Sequence, residues 1–380
     1  MNLKTNWEWK KLSDVCDKPE YGYTTSASIK GNGPKLLRTT DITREKLDWE
    51  TVPYCAVNPE NEDRYRLRDG DLLVSRAGSV GASIVIENSP RAVFASYLIR
   101  FRPKAELNPE FAGYFLKSNS FFVQLGERTS GTTLSGVNAT NLANVKIPIP
   151  PIPVQRKIAS ILKKSESAKQ KRKETLRLAD EFLKSAFIEI FGDPCVNSKK
   201  LTFAPLSQVA LVTMGQSPPS STYNENSEGL PFFQGKAEFA EIYPVASKWC
   251  SEPNRIAQKN DILMSVRAPV GPTNIAETKC CIGRGLCAIT SKKINYLFLF
   301  YQLRLLELLI SSKGQGSTFG AIRRDDVENI KIIYPEQKEQ QKFASLVQKV
   351  EKLKQKQRES QEEIDNLFNS LMQKAFKEEL

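Results

Sequence analysis

The chain repeats itself, and that repeat restricts its possible folds more than any other feature. Residues 70–81 read GDLLVSRAGSVG and residues 260–271 read NDILMSVRAPVG, blocks of equal length sharing Asp71/Asp261, Leu73/Leu263, Ser75/Ser265, Val80/Val270 and Gly81/Gly271. Upstream, LSDV at 12–15 matches LSQV at 206–209; downstream, GTTLSGVNATNLANVKIPIP (131–150) aligns without gaps to GSTFGAIRRDDVENIKIIYP (316–335). The offset drifts from 194 to 190 to 185, as small changes in loop length would make it do. A single match could be chance, but three in the same order point to a tandem duplication of about 190 residues.

Each half closes on the same kind of segment. After KIPIPPIP (146–153) and KIIYP (331–335), the pattern turns polar with helical spacing and has no internal Pro or Gly. In the second half the apolar series is Phe343, Leu346, Val350, Leu353, Ile364, Leu367 and Leu371, with Gln357 and Ser360 in the intervening slots. In the first it runs Ile158, Ile161, Ser165, Ala168, then Leu176, Ala179, Leu183, Ala186 and Ile190. About 37 residues of helix make a rod of roughly 55 Å, and one such rod cannot bury its own stripe. An antiparallel pair within the chain is the preferred reading. The alternatives are helices packed on their own domains and pairing between chains. The expected division is a first globular domain at 1–152, a long helix at 153–192, a second globular domain at 193–335 and a second long helix at 336–380. The globular parts read as α+β: short strand-like runs (LLVSRA, ASIVIE, DILMSV, CAITS) alternate with the core helices FAGYFLKSNSFFVQL and INYLFLFYQLRLLELLISS.

Composition narrows the chemistry. Among 380 residues there is no histidine, which excludes Ser-His-Asp and Cys-His nucleophiles and any His-ligated metal. Neither a phosphate-binding GxxxxGK[ST] loop nor a dinucleotide GxGxxG appears, and GLPFFQGKA (229–237) lacks both the spacing and the hydroxyl. The seven cysteines form no C-x-x-C pair; Cys250, Cys280, Cys281 and Cys287 are better read as inert thiols than as a metal site. MNLKTNWEWKK has no secretory apolar core, and no apolar run is long enough to span a bilayer, so a reducing cytoplasm is expected. The formal charge of +12 suits a polyanionic partner. It is densest in KKSESAKQKRKETLR (163–177), which is either a solvated helix face or a basic rod along a phosphate backbone.

What remains is a set of loops rich in small, hydroxyl and cationic residues: YGYTTSAS, LLRTTDI, SRAGSVG and SVRAPVG, GQSPPSSTYN, FFQGKAEF and GRG. Arg and Gln can bond guanine and adenine edges in pairs, while hydroxyls and glycine amides suit phosphate oxygens. Their recurrence in both halves suggests a duplicated job. A scaffold whose loops bind no DNA is the competing reading.

On these stretches, together with VFASYLIRFRP, VNATNLANVKIPIPPIPVQRKIASIL and the exit FIEIFGDP, the chain resembles the DNA-specificity subunits of type I restriction-modification systems over essentially its whole length. It departs from the pattern in YPEQKEQQKFASLV, which lacks the usual second proline, and in SVRAPVG, which is less glycine-rich than its partner. The resemblance implies two target-recognition domains, each reading half of a bipartite site in double-stranded DNA, with the helices as spacer. It implies as partners two methyltransferase subunits and two restriction/translocase subunits, which carry S-adenosylmethionine, ATP and Mg²⁺, so that this chain holds no cofactor, metal or catalytic residue. Family contact loops carry over to Tyr23, Thr24, Arg38, Thr39, Arg76 and Ser79 in the first domain, and to Gln216, Ser217, Gln234, Lys236 and Arg267 in the second.

Overall fold

The computed structural model describes residues 7–44, 46–129, 137–314 and 320–376. Residues 131–136 and 316–319, which open the third repeated block, lie outside them, as do residues 1–6 of the N-terminal stretch. The chain divides into two compact units, Met1–Arg172 with Ser360–Leu380, and Lys173–Glu359.

The duplication is reproduced in the sheets of the two units. In the first unit an antiparallel four-stranded sheet runs in the order Glu20–Tyr21, Leu98–Phe101, Leu72–Ser75, Ser83–Val85; in the second, Ala210–Met214, Leu286–Ser291, Ile262–Ser265, Thr273–Ile275. The register is conserved as well, with Ser75 opposite Leu98 and Ser265 opposite Leu286. A second, mixed sheet in each unit contains one parallel pair, Lys35–Leu37 with Ala92–Phe94 and Leu230–Phe233 with Cys280–Ile282. The central strands LLVS and ILMS are buried at every position. The pleat explains the unbroken apolar run, because successive side chains enter different cores. Leu72 and Val74 face a large helix-bearing core and Leu73 a smaller one; Ile262 and Met264 divide from Leu263 in the same way.

Both long helices form, as Ile152–Phe191 and Gln337–Phe376, 40 residues each. The first unit holds the start of the first helix and the end of the second; the second unit holds the converse halves. Within each unit the two halves run antiparallel. In the first unit, Ile158 and Leu162 share a core with Met372 and Phe376, whose ring lies 5.3 Å from that of Phe111. In the second, Phe187 packs 5.3 Å from Phe343 and Phe191 4.9 Å from Phe298. Neither globular part therefore completes its core with its own helix alone.

A buried glutamine fixes each helix start to its globular part. Gln155 accepts from the backbone N–H of Asn108 (2.8 Å) and donates to the carbonyls of Glu106 (2.9 Å) and Pro150 (2.8 Å). Gln340 repeats this with Asn295 N–H (2.8 Å) and the Pro335 carbonyl (2.8 Å). A second link recurs about three turns on, where the Tyr114 hydroxyl donates to Glu166 (2.9 Å) and that of Tyr301 to Glu351 (3.4 Å).

The apolar seam differs from the heptad expected. Leu353 and Leu367 are exposed, whereas Val347 and, at 1%, Lys354 are buried. A lysine can hold that position because Asp180 (2.6 Å), Glu351 (3.1 Å) and Glu241 surround its ammonium. Its repeat-mate Lys169 meets Asp365 at 2.9 Å but stays half exposed. Lys169–Asp365 and Lys354–Asp180 are the same ion pair made once per unit, with the donor and acceptor helices exchanged. That exchange is the mark of an antiparallel pair built from repeated helices.

Candidate nucleic-acid interface

The residues that repeat between halves are mainly those that shape the loops. Ser75 donates its hydroxyl to the Ala77 carbonyl (2.8 Å), and Ser265 does the same to Arg267 (2.9 Å), so the turn after each central strand curls back on itself. Gly81 and Gly271 close that turn at φ +83° and +109°, a region that side-chain-bearing residues avoid. Asp71 and Asp261 accept from the backbone N–H groups of Arg68 (2.9 Å) and Gln258 (2.8 Å). Gly22 and Gly215 sit where any Cβ would come 2.3 Å and 2.2 Å from a carbonyl oxygen of the facing loop. Just after them, Tyr23 N–H bonds Phe94 O (2.7 Å) and Gln216 N–H bonds Ile282 O (3.1 Å). Tyr23-Thr24 and Gln216-Ser217 therefore occupy matching places on matching frames.

The side chains on those frames differ. In the second unit Gln234, Lys236 and Arg267 line one cleft of about 230 Å³ together with Arg284. Ser217 adjoins it, accepting from the Arg284 backbone N–H at 3.3 Å, while Gln216 is exposed outside the lining. Three of the five residues expected there thus converge. Arg284 is a fourth member that the loop-level reading did not single out; the GRG triplet was the available signal.

The first unit is less open. Arg38 is committed to Asp41 through two side-chain bonds of 2.9 Å, and its backbone N–H bonds the same carboxylate at 3.0 Å. That bonding lifts the guanidinium pKa above its ordinary value. Thr39 faces Ser75 at 3.4 Å, hydroxyl to hydroxyl. Tyr23 packs its ring against Tyr65 at 5.3 Å. Arg76 lies over the Tyr21 ring at 5.1 Å, and its buried Nε has no hydrogen-bond partner among the described residues. Thr24 and Ser79 are exposed. Tyr97, whose carbonyl accepts from Arg76 N–H, is 60% exposed beside this group and was not singled out from the sequence.

Acidic clusters able to hold a metal do not occur among the described residues, and no described helix is long and apolar enough to cross a membrane. Burial pushes the thiols of Cys16, Cys280 and Cys287 up to about 12, which makes them unreactive rather than nucleophilic.

Two readers of one design, differently decorated and mounted on exchanged helix halves, define a two-headed recognition protein. The family model for the type I restriction modification DNA specificity domain matches twice, at residues 4–178 and 199–366. The chain belongs to this family and is a DNA-specificity subunit of the type I class. It is 31% identical to the type I restriction enzyme MjaX specificity subunit of Methanocaldococcus jannaschii, over 97% of this chain and 92% of that one. To the MjaIX specificity subunit of the same organism it is 27% identical, covering 91% and 87%. Among solved structures, a chain from a study of complex assembly and conformational transition in the type I R-M system aligns over the full length of both chains, with a TM-score of 0.63 and 28% identity. The type I S subunit of M. genitalium, at 15% identity and a TM-score of 0.65 over 99% and 98% of the chains, shares the fold.

Proposed function

We propose that each unit reads one half of a two-part duplex site in the major groove, with the long helices setting the gap between halves. On this reading the chain docks two methyltransferase subunits and the restriction/translocase subunits. S-adenosylmethionine, ATP and Mg²⁺ belong to those partners, and this chain supplies recognition without a catalytic step. The observation that carries the reading is the pairing of identical loop frames with dissimilar side chains, because two different half-sites require one scaffold and two surfaces. The exchanged Lys–Asp pairs support the spacer role, since they set the same helix register in each unit. A scaffold would have no reason to diversify its loop tips over a conserved frame.

The test is to remove about seven residues, two helical turns or roughly 10 Å, from 163–175 and the matching stretch of the second long helix. Methylated positions are then mapped in cells that also carry the methyltransferase. The gap should shorten by about three base pairs, at 3.4 Å per step along a strand, and both half-sites should keep their sequence. Changed half-sites with an unchanged gap would count against the spacer, and methylation by the purified chain alone would overturn the division of labour.

A further inference from the structure

Resting on that reading, we infer that the second unit recognises a guanine in its half-site, through the guanidinium groups of Arg267 and Arg284, which line one cleft with Gln234. The two arginines arrive from different strands. Arg267 follows the central strand Ile262–Ser265, and Arg284 precedes its neighbour Leu286–Ser291. Both are held by their backbones. Val266 N–H bonds the Gly285 carbonyl (2.9 Å), Leu286 N–H closes a turn on Gly283 (3.0 Å), and the Ser265 hydroxyl caps the Arg267 carbonyl. Gly285 permits this approach, because a Cβ there would lie 2.2 Å from the Gln234 carbonyl oxygen. The cleft is therefore formed before any ligand arrives, which spares the ordering cost of binding.

The charges in it are uncommitted. Among the described residues neither Arg267, Arg284 nor Lys236 pairs with a carboxylate, and all three are exposed. The first unit differs at the loop that matches Gln234–Lys236, where Asp41 occupies the fork of Arg38. Folding has thus committed one arginine of the first reader to a carboxylate and left two lining one cleft in the second. A planar fork with its donors free matches guanine O6 and N7 in the major groove, and a neighbouring glutamine amide is the matching group for adenine. Lys236, a point charge at the cleft wall, suits the adjoining phosphate. The second unit then reads a purine-containing half-site and carries the steeper salt dependence, while the first relies on tyrosine, hydroxyl and one stacked arginine.

The experiment is selection from a randomised duplex pool with the full chain, comparing wild type with Arg284→Ala, Arg284→Lys and Arg267→Ala. Wild type should enrich two sequence blocks with a guanine in one of them. Arg284→Ala should erase preference for that guanine by about 5- to 150-fold, the range of one lost bidentate contact, and leave the other block intact. Arg284→Lys should retain affinity for duplex while still losing the preference, because an ammonium cannot make the paired bond. An Arg284→Ala pool enriched for the wild-type guanine, or a fall that is equal on all sequences, would overturn the inference and leave the two-part reading standing. Wild-type selection without two blocks would overturn that reading itself. Urea midpoints matching wild type show that the exposed substitutions leave the fold intact.

Discussion

The buried ammonium of Lys354 invites a quantitative test, because the duplication supplies its own control. Lys354→Met keeps the length of the aliphatic stem, so no large cavity opens and the change reports charge. The lysine side chain is 2% exposed, whereas Asp180, Glu241 and Glu351 are 32%, 37% and 21% exposed. Breaking a fully buried pair costs about 3–5 kcal/mol. Here the three carboxylates can partly rehydrate, and halving that cost gives about 2 kcal/mol, or a fall in Tm of roughly 4–8 °C for a unit of this size. The equivalent Lys169→Met breaks a half-exposed pair and should cost about 0–1 kcal/mol. The difference must also depend on pH. Burial lowers the Lys354 pKa, but Asp180, Glu241 and Glu351 outweigh it, so the net shift is upward from 10.5. Its stabilisation is complete below that value and is lost as pH rises through the raised one. Burial raises Glu241, but bonds to Lys354 and Arg358 prevail and leave it below its ordinary 4.5; its contribution is present above that value and fades as pH falls through the lowered one. The gap between wild type and Lys354→Met should be widest between about pH 5 and 10 and narrow on both sides. Scanning calorimetry across that range decides the matter. Equal losses for the two lysine variants, or a Lys354→Met chain as stable as wild type, would refute the reasoning.

The glutamine latches should behave as structural twins: Gln155→Ala and Gln340→Ala each strand a half-buried Asn N–H and a buried proline carbonyl, so each should lower the urea unfolding free energy by about 1–3 kcal/mol. A loss at one site without the other would show that the latches are not equivalent. Thiol labelling with iodoacetamide at pH 8 should modify Cys195 in the native protein and the other six cysteines only after denaturation, since Cys195 is the exposed one. Rapid native modification at Cys250 or Cys281 would mean that the mixed sheet of the second unit opens.

Much of the fold was legible because its signals are local or repeat at fixed offset. Asp71 and Asp261, Ser75 and Ser265, and Gly81 and Gly271 recur because each bonds or bends its own turn, so the sequence marks the loops even though it does not mark what the loops hold. The 40-residue helices were legible from their spacing and from the absence of Pro and Gly inside them. Their buried face was not. Leu353 looks like a seam residue and Lys354 does not, yet the lysine is inside, because the acceptor that makes burial tolerable includes Glu241 from a distant loop. The candidate contacts show the same limit. Arg38 and Arg284 stand in similar polar loops, but only one has an aspartate three residues on that folds back to occupy its fork.

By itself the sequence determined that this protein is a duplicated pair of α+β readers with long helices, without histidine chemistry, and with a family likeness that the comparisons establish. Periodicity, turn chemistry and internal repetition are properties of neighbouring residues, so they survive in one dimension. Only the tertiary structure decided which charges are spent and which are available: Arg38 on Asp41, Lys354 among three carboxylates, Arg267 and Arg284 left open in one cleft. An ion pair depends on a distance of a few ångströms between groups that lie up to 174 positions apart, and that distance exists only once the chain has folded.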